Sequence, residues 1–211
     1  MRLKRDDRGM TLIEIMMALA ILGIIVAPLA MALIGFMRNA DQTAQRMNEN
    51  HDLQIATAYF AQDVQAMGVH DWTVAAPYPL RQSIELNAPA SGGIYQCDAG
   101  GTPNALVRFA WDDPKTLAND PVVLRASYVV MTVNGERQLR RITCEGTTLT
   151  SNVVLAHNLD TTAPVVTCFS PSTCTAAPGI PQKVQIVLTI RDPANTGSPV
   201  TVTLFGQRRQ T

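Results

Sequence analysis

The chain has 211 residues, and its 17 basic residues balance its 17 acidic residues, so the formal net charge is zero. This length allows one modest folded domain together with a terminal segment. The balanced charge excludes the strongly basic surface of a typical nucleic-acid-binding protein, and we expect no nucleic acid partner.

The first nine residues form a short charged leader. They include four basic and two acidic residues, namely Arg2, Lys4, Arg5, Arg8, Asp6 and Asp7. Because basic residues beside a membrane helix tend to stay in the cytoplasm, we expect the leader to be cytoplasmic and the chain beyond residue 38 to lie outside the cytoplasm. Without the leader, the chain has 13 basic and 15 acidic residues, a net charge of −2.

Residues 10–37 form an apolar run of 28 residues in which Glu14 is the only charged residue. A hydrocarbon core of about 30 Å is spanned by about 20 helical residues, so the run predicts a membrane-spanning helix, which Pro28 should kink. A lone carboxylate in a membrane is unfavourable and needs a positive partner. A cut after Gly9 would create one, because the new amine on Met10 would lie one helical turn from Glu14.

The run Arg8-Gly9-Met10-Thr11-Leu12-Ile13-Glu14 resembles the class III signal of type IV pilins and pseudopilins. The resemblance implies that a prepilin peptidase cuts between Gly9 and Met10 and that Met10 is then N-methylated. It also implies that Glu14, the fifth mature residue, sets the register of assembly. Two other interpretations of the segment stay open, a secretory signal peptide cut after the apolar run and a plain single-pass anchor.

Residues 38–67 are polar but keep a helical character. Apolar residues recur there at three- and four-residue steps, at Leu53, Ala56, Phe60, Val64 and Met67. This spacing predicts an amphipathic helix that packs on a core and ends at Gly68.

Residues 68–211 are predicted to form a globular head. Prolines and paired glycines indicate an irregular, variable loop over 68–104, with short strands near 84–86 and 94–96. The sheet is expected over 105–208, with strands at 105–111, 122–133, 138–144, 147–156, 164–169, 183–191 and 199–207. Short turns such as Asn134-Gly135 join successive strands, which indicates antiparallel pairing. The fold class is α+β, and the resemblance implies a type IV pilin-like fold, closest to PilW-like minor pilins and J-type pseudopilins.

The four cysteines, Cys97, Cys144, Cys168 and Cys174, are candidates for disulfides because an exported head lies in an oxidising compartment. Three pairings are possible. Pairing of Cys168 with Cys174 is favoured because the intervening residues are turn-like, which would leave Cys97 for Cys144. A zinc site is the alternative, although Cys-x-x-Cys is absent and the histidines are scattered.

No catalytic motif stands out in the sequence. Asp112-Asp113, and Asp192 with Asn195, are predicted to lie in turns, with a cation site as the alternative. Arg140-Arg141 is predicted to face solvent, with a contact site as the alternative. We therefore expect no enzymatic activity, no cofactor and no metal.

The resemblance implies a minor pilin that helps to initiate or cap a type IV pilus for motility, adhesion or DNA uptake. Its expected partners are other pilins, the prepilin peptidase, the membrane and an inner-membrane assembly platform. The expected location is the bacterial inner membrane, with one span and a periplasmic head, and then a pilus or a periplasmic pseudopilus. The alternatives are a minor pseudopilin of a type II secretion system, an adhesin or DNA-uptake pilin, and an anchored periplasmic enzyme.

Overall fold

The computed structural model describes residues 11–115, 121–171, 173–174, 180–191 and 198–209. The chain divides into two compact units, residues 1–48 and 49–211. Helix α1, Leu12–Ala66, begins in the first unit and ends in the second. Its helical conformation continues through Pro28, and its end agrees with the stop predicted at Gly68, whose φ of 156° favours glycine.

The second unit consists of the last part of α1 and ten described strands. They are β1 (Val69–His70), β2 (Leu80–Arg81), β3 (Ile84–Ala88), β4 (Ala105–Asp112), β5 (Val123–Val133), β6 (Glu136–Glu145), β7 (Thr148–Ala156), β8 (Val165–Phe169), β9 (Lys183–Ile190) and β10 (Val200–Gln207). All the pairs between these strands are antiparallel. This α+β arrangement, a long apolar helix followed by antiparallel sheets, confirms the predicted fold class and is consistent with a type IV pilin-like fold.

The strands form three sheets rather than the single sheet that the sequence predicts. The order is β3-β4-β5-β6-β7 in the largest sheet and β10-β9-β8 in the second, while β1 and β2 form a separate hairpin. The largest sheet is followed by a linker in which Asn158 has a φ of 54°. Leu159 of this linker forms an isolated bridge with Ile190 of β9, and the backbone N–H of Asp160 donates to Thr189 O at 2.8 Å. The linker thus leads from the largest sheet to the second.

The core of the head lies between α1 and both larger sheets. Phe60 of α1 packs edge-on against Phe109 and Tyr128, with ring centroids 5.7 and 5.4 Å apart. Gly206 of β10 allows close approach to the helix, because a Cβ atom there would lie 2.5 Å from Cβ of Val64. The predicted apolar stripe of α1 is therefore the face that packs on the core.

The other face of the largest sheet is covered by residues 89–104, which we call the strap. Cys97 and Ala99 of the strap pack against Val129 and Cys144 of the sheet. The segment predicted as a strand at 94–96 is not one, although Ile84–Ala88 is. The strap is instead held by side chains from the sheet, as described below.

Candidate functional site

The start of α1 is the part of the predicted processing site that the structure describes. Thr11 precedes the helix, and its backbone N–H and its hydroxyl both donate to Oε2 of Glu14 at 2.9 Å. The Glu14 carboxylate therefore satisfies an N–H that the first helical turn leaves without a partner, as in a capping box. The Thr-x-x-Glu spacing is the sequence signal for this cap, a local role of Glu14 beyond the predicted role in assembly. Gly9 and Met10 lie outside the described residues.

The part of α1 that follows Glu14 has an apolar, exposed surface. Leu12–Asp41 is 30 residues long and, by length and composition, can cross a membrane. Its large side chains, such as Leu12, Ile24 and Phe36, are all exposed in this unit. This surface can therefore be covered by lipid or by the helices of other subunits.

A buried ion pair joins α1 to β6 in the head. Asp63 is 1% exposed and accepts hydrogen bonds from Arg141 Nε at 2.7 Å and Arg141 Nη2 at 2.6 Å. The Tyr128 hydroxyl donates to the same carboxylate at 2.7 Å, and the Arg141 guanidinium lies 4.8 Å from the Tyr59 ring centroid. Three hydrogen bonds, two of them from a cation, thus compensate the burial of the Asp63 carboxylate.

This network corrects the prediction that Arg141 faces solvent. The Arg141 side chain is only 11% exposed, whereas Arg140 lies on the opposite face of β6 and donates to Asn152. Burial alone lowers the pKa of Arg141, but the hydrogen bonds and charge of Asp63 outweigh that effect and raise it. Burial, followed by the charge of Asp63, raises the pKa of Tyr128 well above its usual value. The sequence signal was Asp63 itself, an acid beside Val64 on the apolar stripe.

A second buried arginine, Arg108 of β4, holds the strap. It donates to the carbonyl oxygens of Pro89 at 2.7 Å and Gly92 at 2.9 Å and to the Ser127 hydroxyl at 3.0 Å. Its charge is balanced by Glu85, 3.4 Å away. Glu85 also accepts a hydrogen bond from the backbone N–H of Ile94 at 2.7 Å. Side chains of the sheet therefore provide hydrogen-bond partners for the irregular backbone of the strap, in place of a neighbouring strand.

The cysteines form two disulfides, Cys97–Cys144 and Cys168–Cys174. The first joins the strap to β6, and the second closes the short segment after β8. The described residues hold no group of three or more His, Cys, Asp or Glu that could bind a metal ion.

The structure corrects the predicted turn at Asp112, which is the last residue of β4 and contacts residues distant in sequence. Asp112 accepts hydrogen bonds from the backbone N–H of His70 at 2.9 Å and from the Trp72 indole at 3.4 Å, and it lies 2.6 Å from Nδ1 of His70. The Asp113 carboxylate accepts a hydrogen bond from the backbone N–H of Lys115 at 2.7 Å, as expected for a turn. Asp192 and Asn195 lie outside the described residues.

Residues 4–30 match a known family, the prokaryotic N-terminal methylation motif. The match supports a type IV pilin-like protein. Such a motif implies processing by a prepilin peptidase and assembly of the pilin-like protein with other pilins. Together with the apolar helix, it suggests membrane anchoring and a structural role rather than an enzymatic one. Among curated proteins, none matches the chain.

Proposed function

We propose that this pilin-like protein is a minor pilin that helps to initiate or cap a type IV pilus. The observation that carries the proposal is the arrangement around Glu14. A single carboxylate, that of Glu14, lies in the first turn of an exposed apolar helix, four residues after Met10 and within residues 4–30, which match the methylation motif.

In this proposal, the prepilin peptidase hydrolyses the Gly9–Met10 amide, and the resulting Met10 amine is methylated. Before assembly, residues 10–37 span the inner membrane once, with the head in the periplasm. The assembly platform then moves the subunit into the filament, where the apolar helix leaves lipid for the helices of other pilins.

The proposed role of Glu14 in the filament follows from its hydrogen bonds. Both donors from Thr11 reach Oε2, and no described residue donates to Oε1. In this proposal, the Met10 amine of the same or a neighbouring subunit donates a hydrogen bond to Oε1. Because either charge is unfavourable when it is buried alone, this pair would fix the axial register of the helices.

Intact mass spectrometry of the membrane-extracted protein tests the proposal. We expect a mass that lacks residues 1–9, carries one added methyl group, and is lower by two hydrogens for each of the two disulfides. A Gly9→Val variant is the control and should retain the leader. A full-length chain in cells with an active peptidase, or a cut after the apolar run, would contradict the proposal.

A deletion strain separates the pilus from the related secretion machine. A minor pilin is needed for surface fibres and twitching, whereas a minor pseudopilin of a type II secretion system is needed for export of secreted enzymes. We expect loss of twitching with secretion unchanged. The opposite result would assign the same processed subunit to the secretion system.

A further inference from the structure

The tight turn between β5 and β6 contains the only Asn-Gly pair in the sequence, Asn134-Gly135. Both residues are exposed, and they separate Val133 from Glu136, which form the last pair of the β5–β6 ladder. Their φ angles are 53° and 84°. Positive φ at both residues of a two-residue loop is typical of a type I′ turn. The backbone of Asn134 is therefore left-handed.

Asparagine followed by glycine reacts with its own backbone. The Gly135 nitrogen attacks Cγ of Asn134, the new N–Cγ bond closes a five-membered succinimide, and the Cγ–Nδ2 bond breaks. The amide proton leaves with the side-chain amino group as ammonia. Water then opens the succinimide at either of its two carbonyl groups and leaves aspartate or isoaspartate. Glycine favours this attack because no side chain lies beside the attacking nitrogen, and open space surrounds Gly135 where a Cβ atom would stand.

The closed turn keeps the two reacting atoms apart. A left-handed residue has a ψ of about +47°. At that angle the Gly135 nitrogen lies on the opposite side of the Cα–C bond from the Asn134 side chain. Ring closure therefore requires rotation about this bond, and the rotation breaks both the turn and the adjoining pair of Val133 with Glu136.

We propose that Asn134 is a site of spontaneous deamidation and that local opening of the β5–β6 turn controls its rate. In the closed turn Asn134 does not react, whereas in the open turn it reacts as it would in an unfolded chain. The turn opens without global unfolding, because an exposed loop and the end of a ladder cost less free energy to open than the core. The proposal does not depend on the function proposed above.

Isoaspartate at this position weakens the link between the two larger sheets. The main chain then passes through Cβ and Cγ of residue 134, so it is one atom longer and no longer fits a two-residue turn. Beside the turn, Arg137 O accepts a hydrogen bond from the backbone N–H of Leu159 at 2.9 Å, and the Arg137 guanidinium donates to Asp160 O. Because Leu159 and Asp160 belong to the linker between the sheets, hydrogen exchange at Leu159 should be faster once isoaspartate has formed.

Peptide mapping of the full-length protein in detergent tests the proposal. Trypsin releases residues 126–137, in which Asn134 is the only side-chain amide. The protein is aged at neutral pH, either native or unfolded in guanidinium chloride, and a synthetic peptide of residues 126–137 is aged in the same denaturant. We expect the unfolded protein and the peptide to react at the same rate, and the native protein to react at least about tenfold more slowly. Zero-time samples correct for reaction during digestion.

Asn104 is the matched control, because it is also exposed but is followed by alanine. In the unfolded protein it should react much more slowly than Asn134, and Gly135→Ala in the synthetic peptide should slow Asn134 in the same way. Near-UV circular dichroism confirms that the native sample stays folded while it is aged. Equal rates in the native and the unfolded protein would show that the turn does not control the reaction, and a faster reaction at Asn104 than at Asn134 would remove the site. Either result overturns the proposal.

Discussion

At the scale of single residues, the adjacent arginines of β6 provide a matched pair. Arg141 neutralises the buried Asp63, whereas Arg140 bonds to Asn152 near solvent. We predict that Arg141→Ala lowers the free energy of unfolding by about 3–5 kcal/mol, because it leaves the Asp63 carboxylate buried without its cation. Arg140→Ala should change it by about 0.5 kcal/mol or less. Urea denaturation measures both, and equal losses would contradict a special role for Arg141.

Glu14 supports a residue-scale prediction about assembly. We expect Glu14→Ala to reduce the filament-to-membrane ratio of the protein by about tenfold, because the Met10 amine then lacks its counter-charge. Head stability should not change, since Glu14 lies outside the unit that contains the core. Sheared filaments and membranes are compared by immunoblot. The exposed Glu145→Ala is the control, and equal incorporation of Glu14→Ala and wild type would refute the register role.

At the scale of elements, the two disulfides constrain loops of different length. Cys97–Cys144 spans 47 residues and Cys168–Cys174 spans 6. Loop-closure entropy predicts that replacing the first pair by alanine costs about 4 kcal/mol and replacing the second about 2 kcal/mol. Loss of the first pair should also speed hydrogen exchange in the strap, while loss of the second should not. Denaturation and exchange mass spectrometry test this order, and a larger cost for the shorter loop would reverse it.

The elements with a regular period could be predicted from the sequence. The alternation at 183–191 corresponds to β9, whose Val184, Ile186 and Leu188 face the core. The Asn134-Gly135 turn joins β5 to β6 with positive φ at both residues. The strap could not be predicted, because side chains distant in sequence, such as Arg108, satisfy its backbone, and periodicity reports only local contacts. For the same reason, the partner of Asp63 was not foreseen.

At the scale of the whole molecule, stabilising contacts and the proposed assembly surface lie in different parts of the chain. The buried apolar residues of the described chain begin at Ala56, and the long exposed apolar surface lies within Leu12–Asp41. A surface that must move between lipid and other subunits cannot also be buried in the head. Substitutions before residue 49 should therefore alter insertion and assembly, and substitutions in the core should alter folding.

This division predicts that residues 49–211 fold without the anchor. The fragment keeps Ala56, Phe60, Asp63 and Val64, which connect α1 to both larger sheets. Exported to the periplasm, it should be soluble, form both disulfides and unfold in one cooperative transition. A fragment that starts at residue 68 is the control and should not fold, because Arg141 would remain in the head without Asp63, and Phe109 and Tyr128 would lose Phe60. If both fragments aggregated, the anchor would be needed for folding, and the separation of folding from assembly would be wrong.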